Sequence, residues 1–167
     1  MLYFKDLYEL LFKSLASGDR TVIHNICCTG IEAQLMKQIN SRSENLVQTW
    51  EVESYVSKPK LISDTAAPAP QDGTGVRQKV ILFHTIQSLT RKKLTMYGEK
   101  EEKAKRKREE KKEYFMFQEV TLNGQRNDWR VWGQVYETDL EDYFYEKNHP
   151  LEVFEQARAR SSQDRMR

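Results

Sequence analysis

This sequence has little of what small chains use for reinforcement or for chemistry. Its two cysteines, Cys27 and Cys28, are adjacent, and neighbouring cysteines strain the peptide when they bridge. No disulfide framework is therefore expected, which suits a reducing compartment. His24 lies three residues before Cys27, but a second ligand pair at metal-site spacing is missing. Buried apolar thiols beside a helix are the expected role, with no metal and no cofactor. The seven glycines form no phosphate-cradling loop, and there is neither a nucleophile elbow nor a carboxylate pair. No apolar run is long enough to span a bilayer. The start, MLYFKDLYELLF, is amphipathic yet carries Asp6 and Glu9, unlike an acidic-poor transit peptide. An organelle protein would therefore need a presequence outside this chain.

A strong excess of one charge is missing as well. Lys and Arg number 27 against 25 Asp and Glu, for a net charge of +2. From Glu99 to Glu113 only Ala104 is neutral, and the block holds eight basic and six acidic residues. Subtracting these from the totals leaves 19 of each sign, so the block carries the whole net charge. A free-standing nucleic-acid binder usually shows a larger basic excess.

What is present is a clear order of periodicities. Phe4, Leu7, Tyr8, Leu11, Phe12 and Leu15 predict a one-faced helix ended by Gly18. A short helix from Asp19 carries Val22, Ile23 and Ile26, and Thr29-x-x-Glu32 reads as a capping box for a third with Ile31, Leu35 and Ile39. Strands are predicted at Leu46–Ser63, Val76–Tyr97, Tyr114–Leu122 and Trp129–Glu137, with Asp64–Gly75 a loop. Pro59 confines the first to an edge or a bulge. Thr138-x-x-Glu141 and Pro150 open C-terminal helices. The expected fold is α+β, with N-terminal helices packed on a strongly curved four-stranded antiparallel sheet. The expected domain is 1–147, with 148–167 a final helix and polar tail. Both strand faces are substantially apolar, so the face away from the helices needs a second cover.

Candidate catalytic groups are few: His84, Glu53, Tyr55 and Tyr136. His84 and Thr85 must point to opposite faces of their strand, and a structural histidine is the expected role. No enzyme is expected, and fold alone does not argue for one. Trp50, Trp129 and Trp132 lie in alternating strands and are expected as core anchors. For the charged block, Glu-to-basic pairs four apart (Glu99–Lys103, Glu101–Lys105, Glu102–Arg106) support a helix. A helix polar all round has no face to bury, so the expectation is a helix-capable hairpin extension over 98–113. Its centre, Lys103, Lys105, Arg106, Lys107 and Arg108, joins Arg91, Lys92 and Lys93 at one end of the sheet. On these residues alone, phosphate contact and plain solvation remain open.

Trp50, the KPKLIS stretch around Pro59, VILFHTIQSL with His84 and Gln87, EYFMFQEV, and WRVWGQV with Trp129, Trp132 and Gly133 resemble, in order and spacing, the Tim-forty-four-like domain family. Within it they are most similar to the branch holding a mitochondrial large-ribosomal-subunit protein and the fungal inner-membrane ribosome receptor Mba-one. The resemblance implies a cone like nuclear transport factor two or cystatin. It also implies a matrix location peripheral to the inner membrane, and association with the large mitochondrial ribosomal subunit through rRNA backbone and ribosomal proteins. The implied task is placing the ribosome for nascent-chain insertion, with no small-molecule substrate. A subunit of the presequence import machinery is the other role within that family, and a small-molecule-binding or isomerase-like cup is the alternative from another class.

Overall fold

In a computed structural model that describes residues 1–68, 73–94 and 104–136, the N-terminal apolar stripe forms helix α1 (Leu2–Ser17). Gly18 ends it in the left-handed conformation, φ 78°, where a side chain would be strained. Helix α2 (Arg20–Ile26) is capped by Asp19, whose carboxylate accepts from the Val22 N–H at 3.1 Å. Helix α3 runs over Thr29–Asn40. The capping box expected there does not form. The Cys27–Val131 bridge and the Cys28 N–H bond to the Val131 carbonyl (2.8 Å) hold Cys28 extended, so Cys28 takes the cap position. Glu32 turns instead to His24 Nδ1, 2.8 Å away.

The strands are β1 (Leu46–Pro68), β2 (Gly75–Lys93), β3 (Lys105–Leu122), β4 (Gln125–Arg126) and β5 (Arg130–Val135). They pair antiparallel, β1 on β2, β2 on β3, and both β4 and β5 on β3. The sheet is strongly curved, as the sequence led us to expect. Between β1 and β2 the register slips four times, at Val52/Ser54, Tyr55/Ser57, Ser57/Lys60 and Leu61/Ser63. Each slip is a bulge that bends the strand and adds twist. Pro59 sits in one of them, on a strand whose described pairing is to β2 alone. That is where a residue without an N–H is tolerated.

One sheet face is covered by α1. Tyr8 stacks on Phe83 (4.1 Å between centroids, 9° between planes), Phe4 meets Phe117 at 5.0 Å and Phe12 stacks on Trp50 at 4.8 Å. With Ile23, Cys27, Ile81, Phe115 and Val131 these form the core. Each fully buried large side chain contributes roughly 1.5–3 kcal/mol.

Two boundaries depart from expectation. Asp64–Pro68 is strand rather than loop, paired with Gly75–Lys79, and the double hydrogen bond of Arg77 to Asp64 (2.8 and 2.7 Å) locks its register. The larger departure is the charged block. From Lys105 onward it is not a helical extension but the first half of β3, paired residue for residue with Phe83–Arg91. Its helix-supporting pairs contribute only about 0.2–0.5 kcal/mol each. Each satisfied backbone hydrogen bond is worth about 0.5–1.5 kcal/mol, and β2 would otherwise leave a row of peptide groups without partners. The block pairs because β2 is there to receive it. Lys103, residues 95–102, and the expected C-terminal helices and 148–167 tail lie outside the described residues.

Candidate functional site

Strand alternation divides the basic centre of β3 between two faces of the sheet. On the face covered by α1, Lys105 continues the cross-strand row Gln48–Arg91, and Lys107 continues the row Trp50–Leu89. Glu109 and Lys111 follow on the same face, in the rows of Gln87 and Thr85. The strand then passes under α1 at Glu113, which is buried, as are Phe115 and Phe117 beyond it. On the opposite face, Arg106 Nη2 donates to Glu51 (2.8 Å) and Glu53 (2.7 Å), and Arg108 Nε donates to Glu53 (2.7 Å). The hydrogen bond from Arg108 holds the Glu53 carboxyl below the usual carboxylate range. Expected as one cluster, the described basic residues of β3 thus fall into two sets: Arg106 and Arg108, neutralised by glutamates, and Lys105 and Lys107 on the face of Arg91, where Lys111 follows farther along the strand. Among the latter, Lys107 and Lys111 share Glu109. Lys92 and Lys93 end β2 at the same edge of the sheet.

Between this cationic face, the C-terminal half of α1 and α3 opens a cleft of about 360 Å³. Arg42, which the sequence did not single out, forms part of its wall. Its Nη1 donates to the carbonyls of Leu15 (2.5 Å) and Ala16 (3.1 Å), fixing the side chain on the negative end of α1. Burial first, and then the charge of Arg91, lowers the Arg42 pKa, so the two guanidinium groups share one neighbourhood.

Below the cleft lies a buried polar network that the sequence also did not reveal. The Tyr8 hydroxyl donates to Glu113 Oε2 at 2.6 Å, and Gln87 Nε2 reaches Glu113, Tyr8 and Thr85 at 2.8, 2.6 and 2.9 Å. Trp50 Nε1 donates to Gln87 Oε1 at 3.0 Å. Burial, reinforced by the Glu113 carboxylate, holds the Tyr8 phenol well above its ordinary pKa. Tyr8 read as one more apolar residue of a helical stripe, and nothing local marks a strand carboxylate 105 residues away as its partner.

The four groups considered as catalytic do not converge. His84 Nε2 meets Glu110 Oε1 at 2.7 Å on the face away from the helices, in a row with Lys112. Glu53 is held by the two arginines, Tyr55 donates to Glu9 at 2.9 Å, and Tyr136 is exposed. Of the tryptophans, Trp50 and Trp129 pack against the core. Trp132 is 45% exposed, contrary to the expected anchor role. The reason is strand alternation: Val131 is fully buried on the helix-covered face, so its neighbour Trp132 points to the opposite face. Val131 pairs with Phe117 and Gly133 with Met116, so a one-residue bulge falls at Trp132 as well. Gly133 follows at φ 150°, a backbone region that favours glycine, with Ile31 of α3 beside it.

The sequence profile of the MBA1-like protein family matches residues 7–165. The chain belongs to the MBA1-like protein family. The match begins within α1 at residue 7 and runs past β5, and it therefore includes both the cationic face and the cleft of this MBA1-like chain. No curated protein matches it. Among the described residues, no helix of the MBA1-like chain is long and apolar enough to cross a membrane.

Proposed function

We propose that this MBA1-like protein is a non-enzymatic factor associated with the mitochondrial ribosome, acting at the large subunit near the polypeptide exit and peripheral to the inner membrane. Its task on this reading is to hold the ribosome where nascent hydrophobic chains enter the lipid. The fold reading that goes with it is a Tim-forty-four-like cone of the nuclear-transport-factor-two type. Family membership over 7–165 carries the proposal. The cationic face supports it. Arg91, Lys105, Lys107 and Lys111 stand on strand backbone at fixed spacing, suited to phosphate oxygens of rRNA and to no particular base sequence. The inaccessible, internally satisfied Tyr8–Glu113–Gln87 network supports a structural rather than a catalytic use of the cup's polar residues.

Sedimentation of a mitochondrial lysate tests the reading. The protein should travel with large ribosomal subunits at low salt and leave them as salt rises. Migration free of ribosomes and together with the import motor would refute it.

A further inference from the structure

The cleft beside the cationic face has three features that a plain charged surface does not need. Arg42 and Arg91 face one space of about 360 Å³, within the size range of small-ligand sites, roughly 300–1,000 Å³. Arg42 is anchored by the α1 carbonyls, and no carboxylate among the described residues pairs with Arg91. Two neighbouring guanidinium groups repel each other, and an anion with several oxygens between them relieves this through charge-assisted hydrogen bonds. The second feature is a flat apolar wall, made by Phe12 stacked on Trp50 and by Leu89 in the same strand row. The third is a pair of amides, Gln38 and Gln48, which line the cleft with no side-chain partner among the described residues. The third amide there, Gln87, is consumed by the network beneath.

These features together select a ligand class. An inorganic anion uses the guanidinium groups alone. An acyl chain uses the apolar wall alone and desolvates the amides without returning a hydrogen bond. A heteroaromatic base joined to a phosphate uses all three, by stacking or edge contact on the wall, pairing with an amide and placing its phosphate between the arginines. We propose that the cleft binds a nucleoside phosphate, either free or as one unpaired nucleotide of an RNA. This rests on the reading of the face as phosphate-contacting, and it adds that the contact includes one nucleotide entering a cleft.

Calorimetric titration of the full chain separates the possibilities, using AMP, UMP, inorganic phosphate, a five-nucleotide single-stranded RNA, a blunt RNA duplex and phosphatidylglycerol vesicles. The nucleoside monophosphates should bind at least about tenfold more tightly than inorganic phosphate, and the single strand should compete with them better than the duplex does. Arg91→Gln should weaken nucleotide binding about tenfold or more, whereas Gln48→Leu should weaken nucleotide but not phosphate. Equal affinity for phosphate and nucleotide would reduce the cleft to an anion patch and overturn the proposal. Displacement of nucleotide by vesicles, or equal competition by the duplex, would overturn it as well. Nucleotide binding that survives both Arg91→Gln and Gln48→Leu would remove the cleft as its site. If Gln48→Leu abolishes nucleotide binding but leaves ribosome association and its salt dependence intact, the ribosomal reading stands without the cleft.

Discussion

The division of one basic run between two sheet faces gives a sharp test of what each set does. In one variant, Arg91→Gln, Lys105→Gln and Lys107→Gln remove three cations from the helix-covered face. In a second, Arg106→Gln, Arg108→Gln, Glu51→Gln and Glu53→Gln remove the neutralised cluster on the other face and leave the net charge unchanged. Each phosphate contact contributes about 0.7–0.9 to the slope of log affinity against log salt. Losing three contacts should therefore flatten that slope by about 2 to 3. Across a fourfold rise in salt, the parent chain should lose about 20- to 40-fold more affinity than the triple variant. The second variant should keep the parent slope, because its two arginines are matched by Glu51 and Glu53, whereas on the cleft face Glu109 alone answers both Lys107 and Lys111. The assay is cosedimentation with purified large subunits between 50 and 200 mM salt, with circular dichroism to confirm folding. Equal losses in the two variants would refute the face argument, and an unchanged slope in the triple variant would assign these cations to solvation.

Two further outcomes follow from the core. Tyr8→Phe removes one of the two side chains that, among the described residues, donate to the buried Glu113 carboxylate, so it should lower unfolding free energy by about 1–3 kcal/mol, read from urea midpoints at constant m. A loss below about 0.5 kcal/mol would mean that water or relaxation satisfies Glu113. Burial pushes the Cys27 thiol from 9.0 up to about 12, with Cys28 and Glu32 adding to the rise. A raised folded pKa stabilises the chain fully below the unfolded value and loses that contribution as pH rises from 9 toward 12. Cys27→Val should accordingly flatten the fall in urea midpoint above pH 9, and an unaltered slope would show that other groups cause it.

What the sequence by itself determined was whatever is encoded within a few neighbouring residues. The i, i+3, i+4 spacing from Phe4 to Leu15 specifies α1 and its buried face, because helix geometry brings those positions together whatever surrounds them. Gly18 and Asp19 specify the stop and the restart, and Pro59 restricts its strand to an edge bulge. Period-two alternation likewise placed Ile81, Phe83 and Thr85 on one face and His84 on the other. Tertiary structure decided everything that depends on a partner far along the chain. The charged block carries real helical signals, yet the unpaired edge of β2 draws Lys105–Glu113 into strand. Only that pairing reveals which cations oppose Glu51 and Glu53 and which face the cleft. Tertiary packing also decided which face of β5 is covered: the helices bury Val131, so Trp132, one residue on and expected as an anchor, is exposed on the other face. Tyr8, Glu113, Gln87 and Arg42 became a network and a cleft wall only when α1, α3 and three strands met, since each bond joins residues whose separation in sequence carries no local signal.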